Sequence, residues 1–195
     1  MRKPRHLVPN AIYHVTSRAN RQEMIFTDNY KRMYLAVIKA AKKKYSFNFF
    51  NFCIMGNHPH CDIEPLGTES LSRIVQWINS VFAIRYNKIH GYKGHVFYDR
   101  FKSKVINNIQ QYLRTIFYIA SNPVRAGIVA HPLEYEFNSV TYRRRGLDPG
   151  LLDPMDKRIQ EIVDRFLDNY PKERYCRKID RYSFFDRKPG RPKKK

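Results

Sequence analysis

Residues 47–64 read FNFFNFCIMGNHPHCDIE. The first nine residues are almost all aromatic or apolar and too few for a typical helix, so they read as a strand. Gly56-Asn57 is a turn signal. Residues 58–64 (HPHCDIE) then form the partner strand. Pro59 has no amide hydrogen to give to a ladder, which predicts that this strand lies at a sheet edge or bulges there.

Outward from this hairpin, the chain alternates. Residues 11–18 (AIYHVTSR) have the β-branched and aromatic content of a strand. Over 28–45, Tyr30, Met33, Tyr34, Val37, Ile38, Ala41 and Tyr45 recur at helical spacing, with Asp28 placed to cap the start. Lys31, Arg32, Lys39, Lys42 and Lys43 form the opposite face, read as solvated. A second helix over 69–89 carries the stripe Leu71, Ile74, Val75, Ile78, Phe82, Tyr86 and Ile89, and ends at Gly91 and Gly94. Residues 96–106 (VFYDRFKSKVI) predict an interrupted strand, and 108–121 a third helix stopped by Pro123. The order β-α-β-β-α-β-α predicts an α+β fold, a ferredoxin-like split βαβ unit with an antiparallel sheet and helices on one face. We place the domain over 1–145 and a helical extension over 146–185, whose helix at 155–169 lies outside the core. The ending DRKPGRPKKK (186–195) holds six basic residues and two prolines and reads as a disordered basic tail.

Composition narrows the class of function. The 195 residues are 43% hydrophobic and 14% aromatic, enough for a packed core. No run nears the ~18 apolar residues of a membrane span. The basic start, MRKPRHLVPN, lacks the apolar stretch of a secretion signal, so a cytoplasmic location is expected. Cys53, Cys61 and Cys176 form no metal or disulfide spacing and read as free thiols. Lys and Arg number 37 against 17 Asp and Glu, a formal charge of +20, and nucleic acid is the usual partner of such a field.

Two features carry chemistry. His58 and His60 alternate around Pro59, so both project from one strand face, about 6–7 Å apart along the backbone, within reach of one divalent ion. An isolated pair of this kind reads more readily as two solvent-facing residues. Asp62 and Glu64 continue that face, either as further ligands or, preferably, as surface carboxylates. In the third helix, Ile109, Leu113, Ile116, Phe117 and Ala120 form the apolar face, and Tyr118 points about 160° from its centre. Asn122 lies four residues on, on the same side. Its amide oxygen serves equally as a third metal ligand or as a helix-end group before Pro123. A phenol oxygen can attack a phosphodiester and hold the strand end covalently, and a divalent ion can offset the charge that develops.

Three stretches resemble a known family. GNHPHCDI (56–63) resembles the HUH motif, HVFYDRFKSKVI (95–106) the segment before the catalytic helix, and YIASNPVRAGIV (118–129) the end of that helix. Together they resemble the single-tyrosine HUH transposases, and among them the REP-associated tyrosine transposases. The resemblance spans about residues 5–145. It implies Mg²⁺ or Mn²⁺, and single-stranded DNA with a hairpin as partner. It also implies nicking and strand transfer through a covalent 5′-phosphotyrosine. Residue by residue, His58 and His60 match the metal histidines, Tyr118 the nucleophile and Asn122 the position four after it. Asp62 is the rival third ligand. Pro59 departs from the bulky aliphatic usual between the histidines. Lys3, Arg5, Arg18, Arg100, Lys102, Arg114 and Arg191 are the expected DNA contacts. Gly190-Arg191-Pro192 resembles an AT-hook core, but Pro189 stands where that pattern wants Arg, so a plain phosphate-binding tail is the preferred reading. The competing functions are a non-catalytic hairpin-binding regulator derived from a transposase, and an RNA binder using Phe47, Phe49, Phe50 and Phe52 for stacking. Monomer and homodimer are both open.

Overall fold

A computed structural model describes residue 8 and residues 10–171. The elements run β1 (Ile12–Thr16), α1 (Asp28–Lys42), β2 (Phe47–Ile54), β3 (Pro59–Pro65), α2 (Leu71–His90), β4 (Lys102–Ile106), α3 (Ile109–Arg125), α4 (Ser139–Arg145) and α5 (Lys157–Asp168). The four strands make one antiparallel sheet in the order β2-β3-β1-β4. This is the expected α+β arrangement with a ferredoxin-like split βαβ unit, except that the helices take both faces, α1 and α2 on one and α3 on the other.

Side-chain alternation divides the sheet into two faces. Tyr13, Val15, Phe49, Phe52 and Ile63 turn to one side. There they join Leu35, Val37 and Ile38 of α1 and Ile74, Ile78 and Phe82 of α2 in the main core. Phe26 stacks on Phe82 with ring centroids 5.0 Å apart. Tyr34 donates to Asn79 Oδ1 at 3.0 Å, and Asn79 donates to Ser17 Oγ at 2.8 Å, which ties α1 and α2 to the end of β1. The opposite face is covered by α3. Ile12, Phe50 and Ile106 of the sheet meet Tyr112, Ile116 and Ala120 there, with Val163 and Leu167 of α5 behind them. The helix expected over 155–169 therefore exists, but it closes this second apolar layer instead of standing outside the core.

The hairpin at 47–65 differs from its sequence reading in one instructive way. β3 is internal, with β2 on one side and β1 on the other. Pro59 is tolerated because it is the first residue of the strand, and the pairing with β1 ends at His60. The bulge lies instead in β2, at Phe50, between Phe49 and Asn51. Without that extra residue, Asn51 would turn into the core and Phe52 out of it. With it, Asn51 stands opposite Asp62 and Phe52 opposite Cys61. Arg143 donates to the Phe50 carbonyl at 2.9 Å and to that of Asp153 at 2.8 Å. Ile54 N–H donates to Phe137 O, and Asp153 N–H to Phe49 O. The segment after α3 thus covers the outer edge of β2, a standard protection against edge-to-edge pairing.

Other expectations shift by a turn or less. Thr27, not Asp28, is the residue before α1, and Asp28 pairs with Lys31 one turn on. Ile89 is exposed near the end of α2, where Gly91 takes the left-handed conformation that closes the helix. Only Lys102–Ile106 of the stretch 96–106 is regular strand, with Phe97 bridging separately to Ala19. α3 continues through Pro123 to Arg125. Proline so near the end costs a single intrahelical bond, and the last turn is kept by Ala126 N–H to Asn122 O. Phe47, Phe49 and Phe52 are buried, so they offer no stacking surface to a nucleic acid.

The docking of α5 is directly measurable. Leu167→Ala should lower unfolding free energy by about 2–4 kcal/mol in urea titration, as for other buried leucines. A change under ~0.5 kcal/mol, the range of ordinary surface substitutions, would show that α5 is not packed.

Candidate active site

On the sheet face covered by α3, strand register lines up two rows of side chains. One row runs Asn51, Asp62, His14, Lys104 from β2 to β4. The next runs Cys53, His60, Thr16, Lys102. His58 lies just before β3, and its Nδ1 meets Asn57 Oδ1. The His58 and His60 rings are 4.7 Å apart, centroid to centroid.

Asp62 is fully buried, so it is not a surface carboxylate. Both its oxygens are engaged. Oδ1 meets His14 Nδ1 at 2.9 Å, and Oδ2 accepts from Asn51 Nδ2 at 3.0 Å. That use makes it a supporting group for the row of side chains on this face. Glu64 instead accepts from Asn48 at 2.7 Å. His14 Nε2 meets His60 Nδ1 at 3.1 Å, and the two rings stack with centroids 5.2 Å apart. His60 Nε2 is buried with no hydrogen-bond partner among the described residues.

α3 brings the tyrosine to the histidines. The buried positions of the helix are Tyr112, Thr115, Ile116, Ile119, Ala120, Ser121 and Pro123, while Ile109 is exposed. The buried face is therefore rotated from the one read in the sequence. Tyr118 sits on its flank, partly buried, rather than on the far side. Its ring stands edge-on to His60 at 5.5 Å and to His14 at 6.2 Å. The Arg125 guanidinium, seven residues further on, lies 5.2 Å from the Tyr118 ring centroid. Asn122 is within the helix, one turn after Tyr118, and its Nδ2 is buried without a partner among the described residues. Amide oxygen and nitrogen exchange places on a simple flip, so this position equally offers a carbonyl oxygen.

Burial keeps His58 and His60 neutral. Burial, helped by the Arg18 charge, lowers the His58 pKa to about 4. Burial also pushes His60 well below the usual value, with His14, His58, Arg18 and Arg125 adding to the effect. A neutral imidazole is the metal-binding form. Among the described residues no group of three or more His, Cys, Asp and Glu stands together as a metal site. The donor set is then two imidazole nitrogens and an amide, and the orphaned His60 Nε2 and Asn122 amide fit a divalent ion. Of the expected DNA contacts, Arg18, Arg100, Lys102 and Arg114 are exposed. Arg18 and Lys102 border the histidine rows, and Lys104 joins them opposite His14. Lys3, Arg5 and Arg191 lie outside the described residues, as does the tail at 186–195.

Four participants escaped the sequence reading: His14, Asn51, Arg125 and Lys104. His14 and Lys104 require the register between strands far apart in the chain. Arg125 had a local signal, since two helical turns separate it from Tyr118. Asn51 had one too, in the break of alternation in FNFFNF.

The family model for IS200-like transposases matches residues 7–122. The chain belongs to this family. No curated protein matches this IS200-like transposase at a significant level. Among solved structures it is similar to a REP-associated tyrosine transposase bound to a REP hairpin, at 23% identity. That likeness covers 80% of this chain and 92% of the other, with a TM-score of 0.63. It is also similar to a protein of Deinococcus radiodurans R1 described as a transposase, at 14% identity over 58% of this chain and 95% of that one, with a TM-score of 0.44. At these identities the solved structures bear on fold. No helix among the described residues is long and apolar enough to cross a membrane.

The low His58 pKa has a measurable sign. In metal-free protein its ring-proton resonance should titrate with a midpoint near 4. The unfolded chain takes that proton near ~6.5. Folding stability should therefore fall as pH drops from about 6.5 to about 4, because the unfolded state binds more protons in that window. A midpoint at or above ~6 would mean that His58 is solvated.

Proposed function

We propose that this IS200-like transposase nicks and joins single-stranded DNA, at hairpins, with Tyr118 as nucleophile. The observation that carries the reading is the approach of the Tyr118 ring to His60 and His14 within one chain. The REP-associated transposase of similar fold was solved with a REP hairpin, which supports a hairpin substrate here.

His58, His60 and Asn122 would hold Mg²⁺ or Mn²⁺, and when bound such an ion polarises the scissile phosphate. The remaining steps belong to the chain. Arg18 and Arg125, whose charges act on His60, supply positive charge around the phosphate. Lys102 and Lys104 extend it along the exposed β4 edge and hold the DNA backbone. The Tyr118 phenol oxygen attacks phosphorus, the bond from phosphorus to the 3′-side oxygen breaks, and the phenol proton leaves to solvent. The 5′-phosphate stays on Tyr118, and the leaving 3′ oxygen takes a proton from solvent and departs as a free hydroxyl. A second 3′-hydroxyl reverses the step and joins strands, with no external energy source. The electrostatic work falls on groups already fixed by the sheet and α3, which is where preorganisation helps most.

With a labelled hairpin oligonucleotide and Mn²⁺, the wild-type protein should form a denaturation-resistant adduct. Tyr118→Phe should form none, and His58→Ala and His60→Ala should each lose at least ~10²-fold in rate. An adduct formed by Tyr118→Phe would overturn the nucleophile. A tightly bound, uncut hairpin under every divalent ion would favour a DNA-binding regulator instead. Lys102→Ala combined with Lys104→Ala should flatten the salt dependence of single-strand binding by about 1.4 in logarithmic slope, if both contact phosphates.

A further inference from the structure

We propose that His14, oriented by Asp62, sets the tautomer of His60 and so turns the His60 Nε2 lone pair outward as a metal donor. The inference rests on the metal site proposed above and assigns a positioning residue to it.

Donors and acceptors set the order of protons along the row. A carboxylate only accepts. Asp62 Oδ2 is taken by Asn51 Nδ2 at 3.0 Å, and Oδ1 by His14 Nδ1 at 2.9 Å. His14 Nδ1 therefore carries a proton. The other nitrogen, Nε2, lies 3.1 Å from His60 Nδ1, with one proton shared between the two. When His60 holds it, His60 donates from Nδ1 and keeps a bare lone pair at Nε2. That Nε2 is buried and has no partner among the described residues. A lone pair there is a ligand in waiting. An N–H there, the result of the opposite order, would be a buried donor with nothing to accept it, which folded proteins rarely leave. Geometry holds the order in place. His14, Asp62 and Asn51 are all almost fully buried, and the β1–β3 and β2–β3 registers set all three side by side. The His14 and His60 rings stack at an interplanar angle of 18°, which fixes the plane of the His60 ring as well as its proton. His58 is arranged to the same end by Asn57 Oδ1 at its Nδ1. Metal-bound histidines commonly have their second nitrogen held in this way, and loss of the holding group commonly costs 10–100-fold in metal affinity. Here the holding group is itself a histidine, held in turn by Asp62.

The test uses full-length, metal-free protein with ¹⁵N-labelled histidine and long-range proton–nitrogen correlation, followed by Mn²⁺ titration calorimetry. The expected spectrum shows His60 protonated at Nδ1 and bare at Nε2. His14→Phe keeps a ring but removes both nitrogens. It should lose the fixed His60 tautomer and weaken Mn²⁺ binding about 10–100-fold. His14→Gln, whose amide oxygen can accept from His60 Nδ1, should restore most of the affinity, which a purely space-filling role would not require. A wild-type spectrum with His60 protonated at Nε2 overturns the proposal, as does wild-type Mn²⁺ affinity in His14→Phe. If His14→Phe does not fold, the wild-type spectrum and His14→Gln decide. The expected tautomer in a protein that takes up no Mn²⁺ upholds the hydrogen-bond order and contradicts the metal site of the preceding section.

Discussion

A carboxylate buried in the middle of a sheet is the constraint on which the site depends. Asp62 has no solvent, so its charge must be met by donors within the protein. Asn51 from β2 and His14 from β1 meet it, one from each neighbouring strand. This requirement explains features that otherwise look unrelated. The β2 bulge exists at the one place that brings Asn51, rather than Phe50, to Asp62. Arg143 reaches across to satisfy the carbonyl that the bulge leaves, although burial lowers its own pKa. The segment after α3 is thereby part of the site's support, even though it contributes none of the reacting groups.

The two faces of the sheet divide the labour. α1 and α2 with the aromatic core make a rigid platform of one face. The other face is polar at its centre and apolar at one end, where α3 and α5 pack. α3 therefore lies across the polar rows, and Tyr118 reaches them from the flank of its buried stripe. Such a position reconciles two demands on the tyrosine. The ring is partly buried and held against His60 and His14, yet the helix side it shares with Arg114 stays open to solvent. Neutral His58 and His60 lie beside positively charged Arg18 and Arg125.

Much of this was legible in the sequence, for stated physical reasons. The hairpin at 47–64, the helical periodicities and the order of elements gave the split βαβ topology, because period and turn chemistry are local. His58, His60 and Tyr118 were found by motif, and the structure brings them together. What was not legible depended on long-range register or on competition between helix faces. His14 looks like any strand residue until β1 is laid against β3. Asp62 reads as a surface carboxylate until α3 covers it. The apolar face of α3 was misplaced because Ile109 and Leu113 outweigh Tyr112 and Thr115 in hydrophobicity, while packing buries the latter pair. Pro123 read as a stop, but a helix near its end tolerates it.

Under the proposed function, Tyr118 is the residue that carries the DNA. Protease digestion of the covalent adduct, followed by mass spectrometry of the DNA-linked peptide, tests it most directly. The expected product is a nucleotide linked to the peptide containing Tyr118, through its phenol oxygen and the 5′-phosphate. A link at any other residue, such as the exposed Tyr98, or through a 3′-phosphate, would contradict it.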